Sequence, residues 1–215
     1  MQRIIVILFI LFVTLWACRK SDGIPTEKLY SSYELFYDQD ANITYASAWF
    51  IYDGKNMKLG SKNRITFNGT DLKYIESGSY YQVQFSGLIS SGRFKWSDSK
   101  KALNNDIDLR PVAFRDVIDS LPYSFIDTIF FTGTALAENE YIRLTVDGMH
   151  LDDEKIFYET NPGYTGIIAD MNIVSSGSNR FILERIYNPV LDQHSGAGGN
   201  IQSRYKPREM KVIVY

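Results

Sequence analysis

Tyr80-Tyr81-Gln82-Val83-Gln84-Phe85 is the stretch on which the fold is decided. Tyr81, Val83 and Phe85 alternate with Gln82 and Gln84, so one face is apolar and the other wet. Successive side chains on a strand point to opposite faces, and a period of two belongs to a half-buried strand rather than a helix. The same signature recurs on both sides of it. Short runs rich in Val, Ile, Thr, Tyr, Phe and Trp, broken by Gly, Asn and Asp, occupy 33–37, 43–52, 64–67, 72–75 and 93–96. A second set follows at 125–131, 141–146, 167–174, 180–187 and 211–215. Asn68-Gly69 and Asp147-Gly148 read as tight turns, because a type I′ turn needs positive φ at both central residues. The expected fold is therefore all-β, built as one or two immunoglobulin-like antiparallel β-sandwich modules.

Only 111–121 argues for a helix, opened by Pro111 and stopped before Pro122. Val112, Phe114 and Ile118 also fit strand alternation. The stretch 97–108 is polar, charged and poor in strand formers, and is the natural border between modules. A repeat supports that border: Ile65-Thr66-Phe67-Asn68-Gly69 returns as Leu144-Thr145-Val146-Asp147-Gly148. Leu88-Ile89-Ser90-Ser91-Gly92, with Phe94, returns as Ile173-Val174-Ser175-Ser176-Gly177, with Phe181. The two matches keep the same order, as a duplicated sandwich would.

The N-terminus predicts export. Arg3 is followed by an apolar run over 4–16, interrupted at Thr14, then Ala17 and Cys18. A basic start, an apolar stretch and a terminal small residue describe a secretory signal. A spanning helix needs about 20 apolar residues, and Arg19-Lys20 stop this run short of that. Leu15-Trp16-Ala17-Cys18 resembles the lipobox of bacterial lipoproteins, which implies a lipidated Cys18 as the first mature residue. Cys18 is the chain's one cysteine, so no thiol is left for a disulfide and the apolar core must supply the stability. The expected organisation is a signal peptide over 1–17, a lipidated tether over 18–28 and β-sandwich modules over 29–105 and 106–215. The body resembles the lipoproteins of Bacteroidetes-type bacteria with immunoglobulin-like or transthyretin-like sandwiches. That likeness implies an outer-membrane protein held by acyl chains. Arg19-Lys20-Ser21-Asp22 carries a single acid, which favours the periplasmic face over the cell surface. Asp119-Ser120-Leu121 and Asp127-Thr128-Ile129 resemble the pattern on which such bacteria attach O-linked glycans. Asn42-Ile43-Thr44 and Asn68-Gly69-Thr70 match the N-glycosylation pattern and read as ordinary strand and turn residues.

Composition excludes more than it assigns. With 45% hydrophobic and 14% aromatic residues the chain suits a packed domain rather than a disordered one. A net charge of −2 and the lack of a basic stripe argue against nucleic acid as a partner. The two histidines, His150 and His194, accompany no nucleophile motif and read as surface residues. Zinc would want clustered Cys and His. Asp38, Asp40 and Asn42 are spaced like the start of a calcium loop, but Ile43 and Trp49 stand where that loop needs Gly and Glu. Asp152-Asp153-Glu154 reads as a solvated loop, and Gly196-Ala197-Gly198-Gly199 as a flexible turn rather than a phosphate loop. Tyr80, Tyr81, Trp49 and Trp96 would make a sugar-stacking platform if they faced water, but alternation favours core positions for both tryptophans.

The expectation is a lipid-anchored envelope protein without cofactor or enzymatic activity, binding a protein or glycan partner. A pilus or adhesin subunit, offering its C-terminal strand to a neighbour's sheet edge, is the first alternative. An envelope carbohydrate-active hydrolase is the second.

Overall fold

The computed structural model describes residues 24–123, 125–148 and 154–215. The signal segment 1–17, Cys18, His150 and Asp152-Asp153 lie outside them. The described residues hold strands and two short 3-10 turns, Thr26–Lys28 and Met171–Ile173, with no α-helix among them.

The first half contributes β1 (Tyr30–Asp38), β2 (Ile43–Tyr52), β3 (Lys55–Asn56), β4 (Arg64–Phe67) and β5 (Thr70–Asp71). It continues with β6 (Lys73–Ile75), β7 (Tyr80–Ser86), β8 (Ser91–Ser97) and β9 (Ala102–Asp108). Strands β1, β2, β7 and β6 lie in one sheet, and β5-β4-β8-β9 form the sheet opposite. Tyr33 stacks on Phe94 at 5.1 Å, Phe50 meets Trp96 at 4.7 Å and Phe67 meets Phe85 at 5.9 Å. Such aromatic pairs each add about 0.5–1.5 kcal/mol beyond the area they bury.

The second half supplies β10 (Val112–Phe114), β11 (Ser120–Leu121), β12 (Ile126–Gly133), β13 (Glu140–Asp147) and β14 (Lys155–Glu159). Then come β15 (Gly166–Asp170), β16 (Gly177–Tyr187), β17 (Gly199–Lys206) and β18 (Met210–Val214). Here β10-β12-β15 make a three-stranded sheet, packed against β14-β13-β16-β18. Ile129, Phe131, Ile167 and Ala169 share one buried cluster with Ile142, Leu144, Phe181 and Leu183, and that cluster also holds the core of the first sandwich.

The repeat seen in the sequence is a strand-for-strand correspondence. Strand β4 pairs antiparallel with β8 as β13 pairs with β16, setting Phe67 opposite Phe94 and Val146 opposite Phe181. On the other layer β1-β2-β7 matches β10-β12-β15, both antiparallel throughout. The added element is β17. It leaves the second sandwich after β16 and pairs in parallel with β1 over eight positions, from Ser31↔Gly199 to Asp38↔Lys206. Through β16-β17-β1 the two sandwiches share one 11-stranded sheet. Tyr37, Tyr205, Arg185 and Ile142 are successive cross-strand partners and all are buried. Both smaller sheets therefore cover the same face of the large one.

Three expectations are corrected. The stretch 111–121 is no helix: Val112–Phe114 pairs with β12 and Ser120–Leu121 with β18, because burying Val112 and Leu121 in sheets wins over local helix signals. The strand-poor stretch 97–108 contains β9, so the border expected between 105 and 106 falls inside a strand of the first sandwich. Asp147-Gly148 closes no tight turn, since Asp147 is the last residue of β13 and β14 begins only at Lys155.

Asn68-Gly69 does form the expected turn, with φ of 48° and 82° between the paired Phe67 and Thr70. An L side chain other than Asn or Asp at such a φ costs roughly 1–2 kcal/mol. Gly69→Ala is therefore expected to lower the free energy of unfolding by that amount, read as a lower urea midpoint with an unchanged slope of the transition.

Candidate binding surfaces

Most residues singled out in the sequence have structural work. Lys206 Nζ sits among Glu209 (2.9 Å), Asp40 (3.2 Å) and Asp38 (3.4 Å), so a side-chain ammonium fills the place a calcium ion would take. Burial works against that charge, but the three carboxylates outweigh it and hold the lysine above its ordinary pKa. Asp38 Oδ1 is also used, accepting from the Asp40 N–H at 2.9 Å. Among the described residues no group of three or more His, Cys, Asp or Glu is arranged to hold a metal. His194 is exposed, with Nδ1 2.7 Å from the Ser195 carbonyl. Ser195 is buried and donates to the Leu29 carbonyl at 2.6 Å, so the glycine-rich turn of 196–199 packs onto the start of the first sandwich. No described helix is long and apolar enough to cross a membrane.

Trp96 is in the core as expected, donating from Nε1 to Asn63 at 3.2 Å. Trp49 is not. It alternates out of register with the buried Ala48 and Phe50 and stands on the outer face, stacked on Tyr80 at 5.4 Å. Tyr81 points inward, edge-on to Phe50 at 5.9 Å, and accepts from the Leu59 N–H at 2.7 Å. The open face of the large sheet also carries Phe36 stacked on Tyr45 at 5.8 Å, with the Arg204 guanidinium 4.5 Å over Phe36. These rings spend their faces on each other and are half-buried, which leaves little flat surface for a sugar.

Between those rows runs a charge ladder over four adjacent strands. Arg143 of β13 pairs with Glu184 of β16, which accepts from Arg204 of β17 at 2.6 Å, and Arg204 donates to Glu34 of β1 at 3.1 Å. A second network fills the joint between the smaller sheets. Arg185 donates to Glu140 at 2.5 Å and to the Thr134 carbonyl at 2.8 Å. Glu140 also accepts from Arg110, which stacks 3.8 Å over Tyr187. Both networks tie neighbouring strands together through buried or half-buried ion pairs.

Of several surface concavities, a large one of about 820 Å³ lies between β8, β9 and the 187–192 segment and carries Arg93, Asp106 and Asp192, while an uncharged-lined one lies at the far end of the second sandwich. From Gly199, level with Ser31, the large sheet runs four residue steps to Ser203, opposite Tyr187. Ten more steps along β16 reach Gly177, opposite Val214. At 3.2–3.4 Å per step the two ends lie roughly 45 Å apart. The N-terminal end holds Ile24 and Leu29. The other end holds a concavity of about 600 Å³ lined by Tyr123, Asn172, Ile173, Ser175, Ser176 and Tyr215, together with Val174.

Local geometry builds this concavity. Asp170 Oδ1 accepts from the Asn172 N–H at 2.9 Å and caps the 3-10 turn, and the Met171 N–H donates to the Phe125 carbonyl at 2.9 Å. Asn179, buried at the base, donates to the Ser175 carbonyl at 2.9 Å. Tyr123 is tied to the end of β18 by its N–H to the Tyr215 carbonyl, and its hydroxyl donates to the Asn172 carbonyl at 3.3 Å. Tyr123, Ile173 and Tyr215 are 49%, 51% and 69% exposed. The lining contains no charged side chain. The Asn172 side-chain oxygen and the hydroxyls of Ser175, Ser176 and Tyr215 have no hydrogen-bond partner among the described residues. No sequence signal joined these residues; 173–177 stood out only as part of the repeat.

No family model matches the chain, and no curated protein matches it. Among solved structures it is similar to the FN1-FN3 domains of chicken CNTN1, at 9% identity and a TM-score of 0.29, covering 86% of this chain and 66% of that one. It is also similar to FdeC, an Escherichia coli adhesin, at 9% identity and a TM-score of 0.27, covering 89% of this chain and 65% of that one. At that depth neither likeness bears on ligand or activity. The protein is an all-β chain whose sheets pack as sandwiches, antiparallel except where β17 joins β1 and β11 joins β18.

Proposed function

We propose that this chain is a lipid-anchored protein of the bacterial outer membrane and a non-catalytic binding module for a neutral glycan. Cys18, at the end of the lipobox-like Leu15-Trp16-Ala17-Cys18, carries the anchor. Each buried CH₂ of attached lipid contributes about 0.8 kcal/mol, and several acyl chains make the tether stable. The observation that supports the reading is the concavity at Tyr123 and Tyr215, some 45 Å from the end where the tether joins. Two exposed phenol rings with amide and hydroxyl groups, and no charged side chain, suit an uncharged, hydroxyl-rich ring. The C-terminal strand is already paired with β16 and β11, which weighs against its donation to a neighbouring subunit.

The test is binding of the full chain to an array of neutral and acidic glycans, repeated with Tyr123→Ala and Tyr215→Ala. Neutral ligands retained by the native chain and weakened about tenfold or more by either substitution would support the reading. Binding confined to acidic glycans, or unaffected by both, would end it. Protease shaving of intact cells places the protein: protection until the outer membrane is opened supports the periplasmic face, and loss of signal from unlysed cells refutes it.

A further inference from the structure

A sheet edge offers unpaired backbone N–H and C=O groups to any further strand, and proteins usually shorten, charge or cover such edges. This body does so at most of its edges. Strands β3, β5 and β11 have two residues each, and β6 and β10 three. The free side of β9 is covered by the 188–198 segment: the Asn104 N–H donates to Gln193 at 2.9 Å and the Asp106 N–H to Asp192 at 3.1 Å. The exceptions are β14 and β15, five residues each, which lie beside one another on one flank of the second sandwich. Among the described residues β14 pairs with β13 alone.

β14 reads Lys155-Ile156-Phe157-Tyr158-Glu159, and that sequence is complementary to itself when reversed. Paired antiparallel about Phe157, it sets Lys155 against Glu159 of the other copy twice, Ile156 against Tyr158 twice, and Phe157 against Phe157. Opposite charges and aromatic–aliphatic pairs directly across a strand pair each stabilise it. Ile156 and Tyr158 are placed for it, 42% and 55% exposed on the open face of the large sheet. Lys155 has no carboxylate within ion-pair distance among the described residues, while Glu159 is mostly buried and one of its oxygens accepts from the Asn161 N–H at 2.7 Å and side-chain amide at 2.8 Å. We infer that β14 is a homodimer contact, through which two copies join their large sheets about a twofold axis at Phe157. The closed, self-complementary pairing is the isologous arrangement typical of symmetric dimers. It lays the two molecules antiparallel, so their Ile24 ends point in opposite directions.

The test uses the full chain with Cys18→Ser, in detergent, so that an introduced cysteine is the only thiol. Residues directly opposite in an antiparallel pair have Cα atoms about 4.5–5.5 Å apart, within disulfide range. Phe157→Cys is expected to give a disulfide-linked dimer on mild oxidation, while Tyr158→Cys, which faces Ile156 of the other copy, gives little. Adding Ile156→Lys to Phe157→Cys should cut the linked fraction several-fold. The chain without introduced cysteines should show a concentration-dependent dimer in sedimentation, weakened at least tenfold by Ile156→Lys. A strict monomer up to about 100 μM, or linkage through Tyr158→Cys equal to that through Phe157→Cys, overturns the inference.

Discussion

Glu140→Leu is expected to lower the free energy of unfolding by about 3–5 kcal/mol. Removing one member of a buried ion pair strands the other, and the side chains of Glu140 and Arg185 are both fully enclosed. Arg185 would keep the Thr134 and Ala135 carbonyls but lose the carboxylate that neutralises it. Against a total stability of roughly 5–15 kcal/mol that loss decides whether the body folds at growth temperature. Adding Arg185→Met should recover most of it, since an apolar pair of similar volume often matches a buried ion pair. Urea titration of the three variants checks this; a double variant no better than Glu140→Leu alone would show that the charge was not the cause. The same residue sets an acid limit. Burial works to raise the Glu140 carboxyl, but the Ala137 N–H, Arg185 and Arg110 outweigh it and hold its pKa below the usual range. Glu184 is lowered likewise, by Arg204 and Arg143 against burial. A carboxylate with a depressed folded pKa contributes stability above its unfolded pKa, near 4.3, and loses it as pH falls through the folded value. Stability should therefore be level near neutrality and fall below about pH 4, and Glu140→Leu should make that fall shallower.

The second large effect concerns cooperativity. The two sandwiches are expected to unfold in a single transition, and a chain ending at residue 110 should fail to fold. Without 188–206, β1 loses its parallel partner over eight positions and the free side of β9 loses Gln193 and Asp192. Leu29 and Ser31 also lose the Ser195 and Gly198 contacts that close that corner. Calorimetry and denaturant curves by two probes should coincide for the whole body. Two resolved transitions, or a folded 24–110 fragment, would show that the sandwiches are separable.

The strands with regular apolar alternation were legible: 43–52 and 64–67 match β2 and β4 residue for residue. What was not legible is what long-range contacts supply. β17 reads Gly-Asn-Ile-Gln-Ser-Arg-Tyr-Lys and looks like a polar loop. It is a strand because β1 satisfies its backbone and Glu34, Glu184 and Asp38 pair its outward cations. β9 hides for a similar reason, since its buried Asn105 is tied to a distant segment, its side-chain oxygen accepting from the Gln193 N–H at 2.9 Å. Trp49 shows the limit of alternation, which gives two faces but not which one is covered. The concavity gathers Tyr123, 172–176 and Tyr215, segments far apart in the chain, and no local pattern announces such a meeting.

The parallel pairing of β1 with β17 also determines how the body would bear load. A pull between a tether before Ile24 and a ligand at Tyr215 draws β1 one way and β17 with β18 the other, along their own axes. The ladder from Ser31↔Gly199 to Asp38↔Lys206 is then strained in shear, with all eight positions resisting together rather than opening one after another like a zip. The strand that fuses the two sandwiches would thus double as a mechanical clamp between the two ends of the body.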